Sequence, residues 1–406
     1  MYVKKLSVLI IVFLFLSSLC FFSYVNLDLV FFGRISKVYL ALFFIFLLLK
    51  WRNIKSLALH FPSKNYVLLF LALPFITTFS CLSEHGQSLS SSLSVMFPHL
   101  ILCVYFYLIL SGVDKKDLIK IVILFALIRT SLTIIEQFTY PNVLFAFRMD
   151  KYNEYGVFIP LEMRSGFYRF LISDAYYLPM FAGFYAFSKL VENVTLKYLF
   201  VFLFCCFGLY MDQSRQIMFS FILCLTLLPL FKKNSQFLKY AFFIAIIVSV
   251  LYVYANVLFG ETFLKTKDEL NDDNIRVLSY TYYFTNTGSW LTTLFGNGFA
   301  GDSMFGKEVS KLEDMGLFRV DIGIVGAIHL LGYVFIATFI LYYINVVRKN
   351  WKYIDSPLQL MLISILCNIP LIFPLYNFTL SGIEFFMGIL FYLTDRSILE
   401  NQIREK

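Results

Sequence analysis

The chain has 406 residues, of which 59% are hydrophobic and only 15% charged, with a formal net charge of +8. Those proportions exclude a disordered chain and an ordinary soluble domain, and they point to a polytopic membrane protein. The positive balance follows from membrane orientation, as set out below, and implies no nucleic-acid partner.

A bilayer-crossing helix needs about 20 mostly apolar residues. On that rule the apolar segments run 6–24, 35–49, 66–82, 93–110, 118–135, 171–190, 196–211, 216–231, 238–259, 321–344, 357–375 and 379–394. The predicted fold class is an all-α integral membrane protein of about twelve spans, treated as one membrane domain over 1–406. The last two segments carry the weakest pattern, because Pro370 and Pro374 interrupt it and the final segment is short.

Lysine and arginine bias in short loops sets orientation. Lys4 and Lys5, Lys50, Arg52 and Lys55, Lys115 and Lys116, Lys232 and Lys233, and Arg348 and Lys349 fall on one side. That side is predicted cytoplasmic, together with both termini. The N-terminus resembles a signal peptide but lacks a small-residue cleavage site, so it reads as a retained anchor. The seven cysteines show neither metal spacing nor a pairing pattern and read as apolar fillers.

Most connections are short. Two are long, at 136–170 and 260–320, and both fall on the predicted outer side. A transporter needs no such loops, whereas an enzyme working on a charged, lipid-linked substrate at the membrane surface does. The outer cations include Arg34, Arg148, Arg164, Arg169, Arg215, Arg276 and Arg319, while the inner ones are mostly lysine. Arginine binds phosphate oxygens through two parallel hydrogen bonds, which orientation alone does not require. The alternative is loop solubility, with Asp150, Glu162, Asp272 and Asp273 as acidic partners.

In chain order, the first loop holds Arg164-Ser165-Gly166-Phe167-Tyr168-Arg169, two arginines around a glycine turn and two aromatics. It reads as an anion seat or as an interfacial anchor. Met211-Asp212-Gln213-Ser214-Arg215-Gln216 is a tight turn in which Ser214 can cap the next helix. Arg215 then stands at a helix N-terminus, where dipole and free N–H groups favour an anion. The alternative is a capped turn with a snorkelling arginine.

In the second loop, 274–286 reads as a helix with Arg276, Tyr280 and Tyr283 on one face at i, i+4 and i+7. The tyrosines suit stacking on sugars or packing against the membrane domain. Gly296-Asn297-Gly298-Phe299-Ala300-Gly301 matches a dinucleotide fingerprint formally, but no strand–turn–helix surrounds it. It reads as a tight glycine turn whose backbone comes close to another element. Arg319-Val320-Asp321-Ile322-Gly323 then enters a span. Asp321 is a general-base candidate or an N-cap acid, and His329, two turns deeper, is a weaker base candidate. Arg129 and Glu384 are charges inside spans, expected to face the bundle interior and to pair with each other, or Arg129 with Glu136.

The pattern resembles the O-antigen and capsular polysaccharide polymerases of the Wzy type, relatives of the O-antigen ligases. The likeness covers nearly the whole chain in topology and four short patches in residues. Arg164–Arg169 is similar to the family's R-x-G element, and Gln213-Ser214-Arg215 to its S-R turn. Arg276 with the aromatics, closing at Leu294-Phe295-Gly296-Asn297-Gly298, is similar to its second-loop helix. Asp321-Ile322-Gly323-Ile324-Val325-Gly326 is similar to its D-x-G-x-x-G entry.

The resemblance implies an inverting, metal-independent glycosyltransferase without cofactor, working at the periplasmic face of the bacterial inner membrane. Its substrates would be undecaprenyl-diphosphate-linked glycans, and a chain-length regulator is an implied partner. Arg164, Arg169, Arg215, Arg276, Arg319, Tyr280 and Tyr283 would bind substrate, and Asp321 would be the catalytic base. Related ligases carry histidine near the Asp321 position, and aspartate there favours polymerase. The other readings are an O-antigen ligase, with lipid A–core as acceptor, and a lipid-linked-oligosaccharide flippase or other transporter. A transporter should show internal repeats, and none is visible.

Overall fold

A computed structural model describes residues 9–12, 40–140, 163–164, 167–168, 176–211, 214–231, 275–286, 288–375 and 382–405. Apart from one two-residue hairpin, the regular structure is helical: α1 (Leu40–Leu49), α2 (Trp51–Leu57), α3 (Lys64–His85), α4 (Leu89–Ser111) and α5 (Lys115–Thr139). Strands β1 (Met163–Arg164) and β2 (Phe167–Tyr168) follow, then α6 (Tyr177–Glu192), α7 (Leu196–Met211) and α8 (Arg215–Phe231). The remainder is α9 (Ile275–Thr285), α10 (Trp290–Phe295), α11 (Met304–Asp314), α12 (Gly323–Arg348), α13 (Ser356–Asn368) and α14 (Gly382–Glu405).

Four of these, α3, α4, α5 and α12, are long and apolar enough to cross a membrane. The protein is therefore an all-α membrane protein. The segment predicted at 238–259 lies outside the described residues, and of 6–24 only 9–12 are described, as helix. Two predicted boundaries move. Helix α13 stops at Asn368 rather than reaching residue 375, because Pro370 pushes the residue before it out of helical conformation. Helix α14 runs on to Glu405, well past the predicted end at 394. Helices α2, α10 and α11 have no counterpart among the predicted elements.

The chain forms two compact units. One contains α5, the hairpin, α6, α7, α8 and α13. Here α7 crosses α5 at Gly208, where a Cβ would strike Thr130, so the small residue sets the helix separation. Phe184 stacks on Phe221 at 4.8 Å, and Ser220 meets Ser364 at 3.3 Å, joining α6, α8 and α13.

The other unit contains α1 to α4, α9 to α12 and α14. Its core holds a repair of a broken helix. Pro74, inside α3, has no N–H to give the carbonyl four residues back, that of Phe70. Buried His99 of α4 donates from Nε2 to that carbonyl at 3.0 Å. In an apolar interior every backbone acceptor needs such a partner. A second buried clasp forms where Asp395 of α14 accepts from the Ser63 N–H (3.2 and 3.0 Å), the Ser63 hydroxyl (2.7 Å) and Tyr105 (2.7 Å). That carboxylate lies at the N-terminus of α3, the end of a helix that favours negative charge.

The repair is testable by a double-mutant cycle. His99→Leu should cost about 1–3 kcal/mol, the penalty for an orphaned buried acceptor. In a Pro74→Ala background the new N–H reaches Phe70, and His99→Leu should then cost much less. Unfolding in detergent measures both, and strictly additive losses would contradict the repair.

Candidate functional site

Two groups of predicted site residues form, one in each unit. In the first, β1 and β2 pair antiparallel with Arg164 opposite Phe167 and Met163 opposite Tyr168. The two residues between the strands, Ser165 and Gly166, leave room only for a tight turn. Gln137 of α5 extends the hairpin as a third strand would. Its Oε1 accepts from the Tyr168 N–H at 2.9 Å, and its Nε2 donates to the Tyr168 carbonyl. Tyr140 stacks obliquely on Tyr168 at 4.2 Å.

Phe167 then meets Tyr210 (5.9 Å) and Phe207 (6.5 Å) edge-on, near the end of α7. Helix α7 ends at Met211 and α8 begins at Arg215. The Met218 N–H donates to the Ser214 carbonyl at 3.0 Å, which puts Ser214 at the N-cap position. The hairpin bearing Arg164 is thus anchored beside the turn that ends in Ser214-Arg215. Two patches 50 residues apart in sequence are brought to one end of this unit. Arg169 lies outside the described residues. Arg129 and Glu136 are both buried, two turns apart on one face of α5, whereas Glu384 belongs to the other unit.

The second group is built around a break in α12. Gly332 leaves helical geometry at φ 80°, ψ 170°, so the carbonyls just before it lose their intrahelical donors. The second loop supplies replacements. The backbone N–H of Asn297 donates to the His329 carbonyl at 2.8 Å, the Asn297 side chain donates to the same oxygen at 3.0 Å, and the Gly298 N–H donates to the Leu330 carbonyl at 3.0 Å. Three glycines make the approach possible. A Cβ on Gly296 would run into the Leu330 carbonyl, one on Gly332 into the Leu294 carbonyl, and one on Gly298 into Cys81 and the Thr77 carbonyl. All three also have positive φ, which L-residues with side chains rarely adopt. The glycine turn read from sequence is in place, and the element its backbone approaches is α12.

The end of α3 and the short connection after it secure this loop from the other side, and sequence reading passed over them. His85 donates to Asn297 Oδ1 at 3.0 Å and stacks on Phe305 at 3.9 Å. Buried Gln87 makes four bonds. Its Nε2 donates to the Phe299 carbonyl (2.6 Å) and to Ser92 (2.7 Å), and its Oε1 accepts from the Gly301 N–H (2.9 Å) and from Ser303 (2.6 Å). Ser303 also caps α11 by accepting from the Gly306 N–H at 3.1 Å. The available signal was a cluster of polar residues, Glu84, His85 and Gln87, at one helix end and in the very short loop after it.

The predicted helix at 274–286 forms as α9 (Ile275–Thr285). Its stripe grades inward: Arg276 is exposed, Tyr280 half-buried and Tyr283 buried. Tyr280 donates to the Pro370 carbonyl and Tyr283 to the Leu317 carbonyl at 2.9 Å. Burial pushes the Tyr283 phenol up to about 12, with the charge of Arg319 pulling the other way, so it remains a protonated donor. Burial likewise raises Tyr280, opposed by Arg276. Both tyrosines are thus engaged in packing, and buried Tyr283 presents no open face on which a sugar could stack.

Arg319 and Asp321 occupy a 3-10 turn, Arg319–Ile322, leading into α12. Arg319 is buried and Asp321 is exposed. Asp321 does not cap α12: the N-cap is Ile322, with no side-chain cap bond. Gly323, at φ +44°, lets this entry lie against the chain at Ile369–Pro370, where the Ile324 N–H donates to the Ile369 carbonyl at 3.0 Å. An exposed carboxylate with no capping duty is thereby fixed on a rigid entry turn. Among the described residues, no three His, Cys, Asp or Glu side chains gather to hold a metal ion.

No family model matches the chain, and no curated protein matches it.

The three-glycine joint makes a graded prediction. Gly296→Ala and Gly332→Ala combine positive φ with a backbone collision and should each cost more than about 2 kcal/mol. Gly112→Ala, also at positive φ but facing open space, should cost about 1 kcal/mol. Thermal unfolding in detergent ranks the three, and equal losses would mean that the close approach carries no weight.

Proposed function

We propose that the protein is a glycosyltransferase that polymerises undecaprenyl-diphosphate-linked repeat units into O-antigen or capsular polysaccharide. In this reading about twelve spans place both termini in the cytoplasm and the two large loops at the periplasmic face of the inner membrane. The observation that carries it is the contact of the Arg164 hairpin, through Phe167, with Tyr210 near the end of α7, the helix that precedes the Ser214-Arg215 helix start in the same unit. A helix N-terminus and two nearby arginine positions suit a diphosphate, a dianionic group needing several charge-assisted bonds.

The chemistry follows from the residue types. A hydroxyl oxygen of the acceptor repeat unit attacks the anomeric carbon of the growing chain. The bond from that carbon to the diphosphate oxygen breaks, and undecaprenyl diphosphate leaves with the bonding pair. Arg164 and Arg215 stabilise the charge that develops on it, and the resemblance assigns the same role to Arg276. Asp321, exposed and free of capping duty, takes the hydroxyl proton. Arg319 and Tyr283 are buried, Tyr283 ties α9 to the Leu317 carbonyl, and Tyr280 ties α9 to the chain at Pro370.

Cells lacking the gene, examined by polysaccharide gel, test the reading. The expected profile is lipid A–core carrying a single repeat unit, with the ladder restored by the wild-type copy. Bare core with accumulated lipid-linked polymer would indicate ligation instead, and an unchanged profile would remove O-antigen polymerisation. Arg215→Lys should lower polymer formation at least about tenfold, because lysine keeps the charge but loses the two-pronged bond. Asp321→Asn should lower it by roughly 10²–10⁴, the usual contribution of a positioned base. Full ladders from stably expressed variants would contradict these roles.

A further inference from the structure

The second loop has a composition that an aqueous loop does not need. From Val277 to Gly301 it carries no charged side chain, whereas about a quarter of the residues in a soluble domain are charged. Within this stretch α10 packs against both α3 and α12. The chain enters at the end of α3, where Ser289 donates to Glu84 Oε1 at 2.7 Å. It leaves at the same end, where the Gly301 N–H donates to Gln87 Oε1. Between these points it descends. The tip, Gly296-Asn297-Gly298, bonds to the His329 and Leu330 carbonyls beside the break at Gly332. Gly332 is nine positions beyond Gly323, about 13 Å along α12 at roughly 1.5 Å per residue. On α3 the tip meets Ser80 and Thr77, and Thr77 lies eight positions, about 12 Å, before the end at His85. Both helices are long and apolar enough to cross a bilayer, whose hydrocarbon core is about 30 Å thick. Two helices thus give the same depth for the tip, well inside that core.

We propose that α10 and its glycine turn form a re-entrant segment, and that the Trp290–Leu294 face of α10 is a contact surface for lipid acyl chains. The inference rests on the membrane fold and is independent of the polymerase reading. Non-helical backbone at membrane depth must have every polar group satisfied by protein. The tip meets that demand. The Gly296 N–H donates to the Thr292 carbonyl at 2.7 Å, and the Gly296 carbonyl accepts from Ser80 at 2.5 Å. The Asn297 and Gly298 N–H groups go to α12, and the Phe299 carbonyl accepts from Gln87. The hydroxyls of α10 are spent as well, because Thr292 (3.0 Å) and Thr293 (2.8 Å) both donate back to the Ser289 carbonyl. What stays uncovered is apolar. Trp290 is 74% exposed and Leu294 39% exposed, four residues apart and so on one face of the helix. Ile76 and Phe79, in the half of α3 that receives the tip, are exposed too. At this depth the medium that meets such a face is hydrocarbon. Trp290, next to Ser289 and the helix end, stands where indole rings collect at a membrane interface. Leu294 lies about 6 Å further down.

The chain has three tryptophans, Trp51, Trp290 and Trp351. Replacing Trp51 and Trp351 by phenylalanine leaves Trp290 as the only emitter. This variant is reconstituted in phosphatidylcholine vesicles whose acyl chains are brominated either near the glycerol end or near the middle. A second variant adds Trp290→Phe and Leu294→Trp, which moves the emitter down the helix. Both emitters should be quenched by brominated lipid and shielded from iodide in the water. Trp290 should lose more emission to the shallow label, and the Leu294→Trp emitter more to the deep one. Quenching by iodide without loss to brominated lipid places the loop in water and overturns the proposal. Emission that neither quencher reaches also overturns it, and indicates a face covered by protein, such as a second copy of the chain. Two emitters at one depth overturn the descent. If the Leu294→Trp variant does not fold, Trp290 alone decides between lipid and water.

Discussion

The second unit depends on how a helix break is satisfied inside an apolar environment. A carbonyl freed within a membrane span has no water to turn to, and leaving it bare costs several kcal/mol. Gly332 frees such carbonyls in α12, and the turn at Gly296-Asn297-Gly298 answers them at His329 and Leu330. The second loop is therefore part of the membrane fold and not a flap laid over it. Its position in turn fixes α9, because Tyr283 reaches the Leu317 carbonyl and packs on His329. Arg276 and the Arg319–Ile322 turn inherit that rigidity, which a site on a loop would otherwise lack.

The same logic recurs at smaller scale. Pro74 frees Phe70, and His99 answers. Gln137 offers its amide to Tyr168 as a neighbouring strand would, and so holds a hairpin too short to stand alone. In each case one side chain from a distant segment completes a backbone defect. Defects in spans and loops thus become fixed contacts between segments.

How much of this was legible in sequence follows from the range of each interaction. The apolar segments are local signals, and α3, α4, α5, α7, α8 and α12 lie where they are read. The α9 helix is likewise local, and it forms where it is read, whereas the inward grading of its stripe is set by packing that the spacing does not show. The glycine turn showed that some backbone came close, but not which, since a φ requirement names no partner. Gln87, His99 and Asp395 were missed because each acts on groups far away in sequence: Phe299 and Ser303, Phe70, and Ser63 with Tyr105. The approach of the Arg164 hairpin to the end of α7 was invisible for the same reason. It is made by Phe167 on Tyr210, residues with no distinguishing motif of their own. Whether Asp321 caps a helix could not be read from sequence, and the structure answers it with Ile322 in the cap.

The polymerase reading gives these features one purpose: arginines for a diphosphate, a carboxylate for a hydroxyl proton, and loops held firmly enough to orient both. It stands or falls on whether this chain alone joins repeat units. The most direct measurement is reconstitution of the purified protein into phospholipid vesicles with lipid-linked repeat units and no other protein. The account predicts lipid-linked chains of two or more repeats, with undecaprenyl diphosphate released in step with each linkage formed. Repeat units that cross the bilayer without being extended would contradict it and identify a transporter.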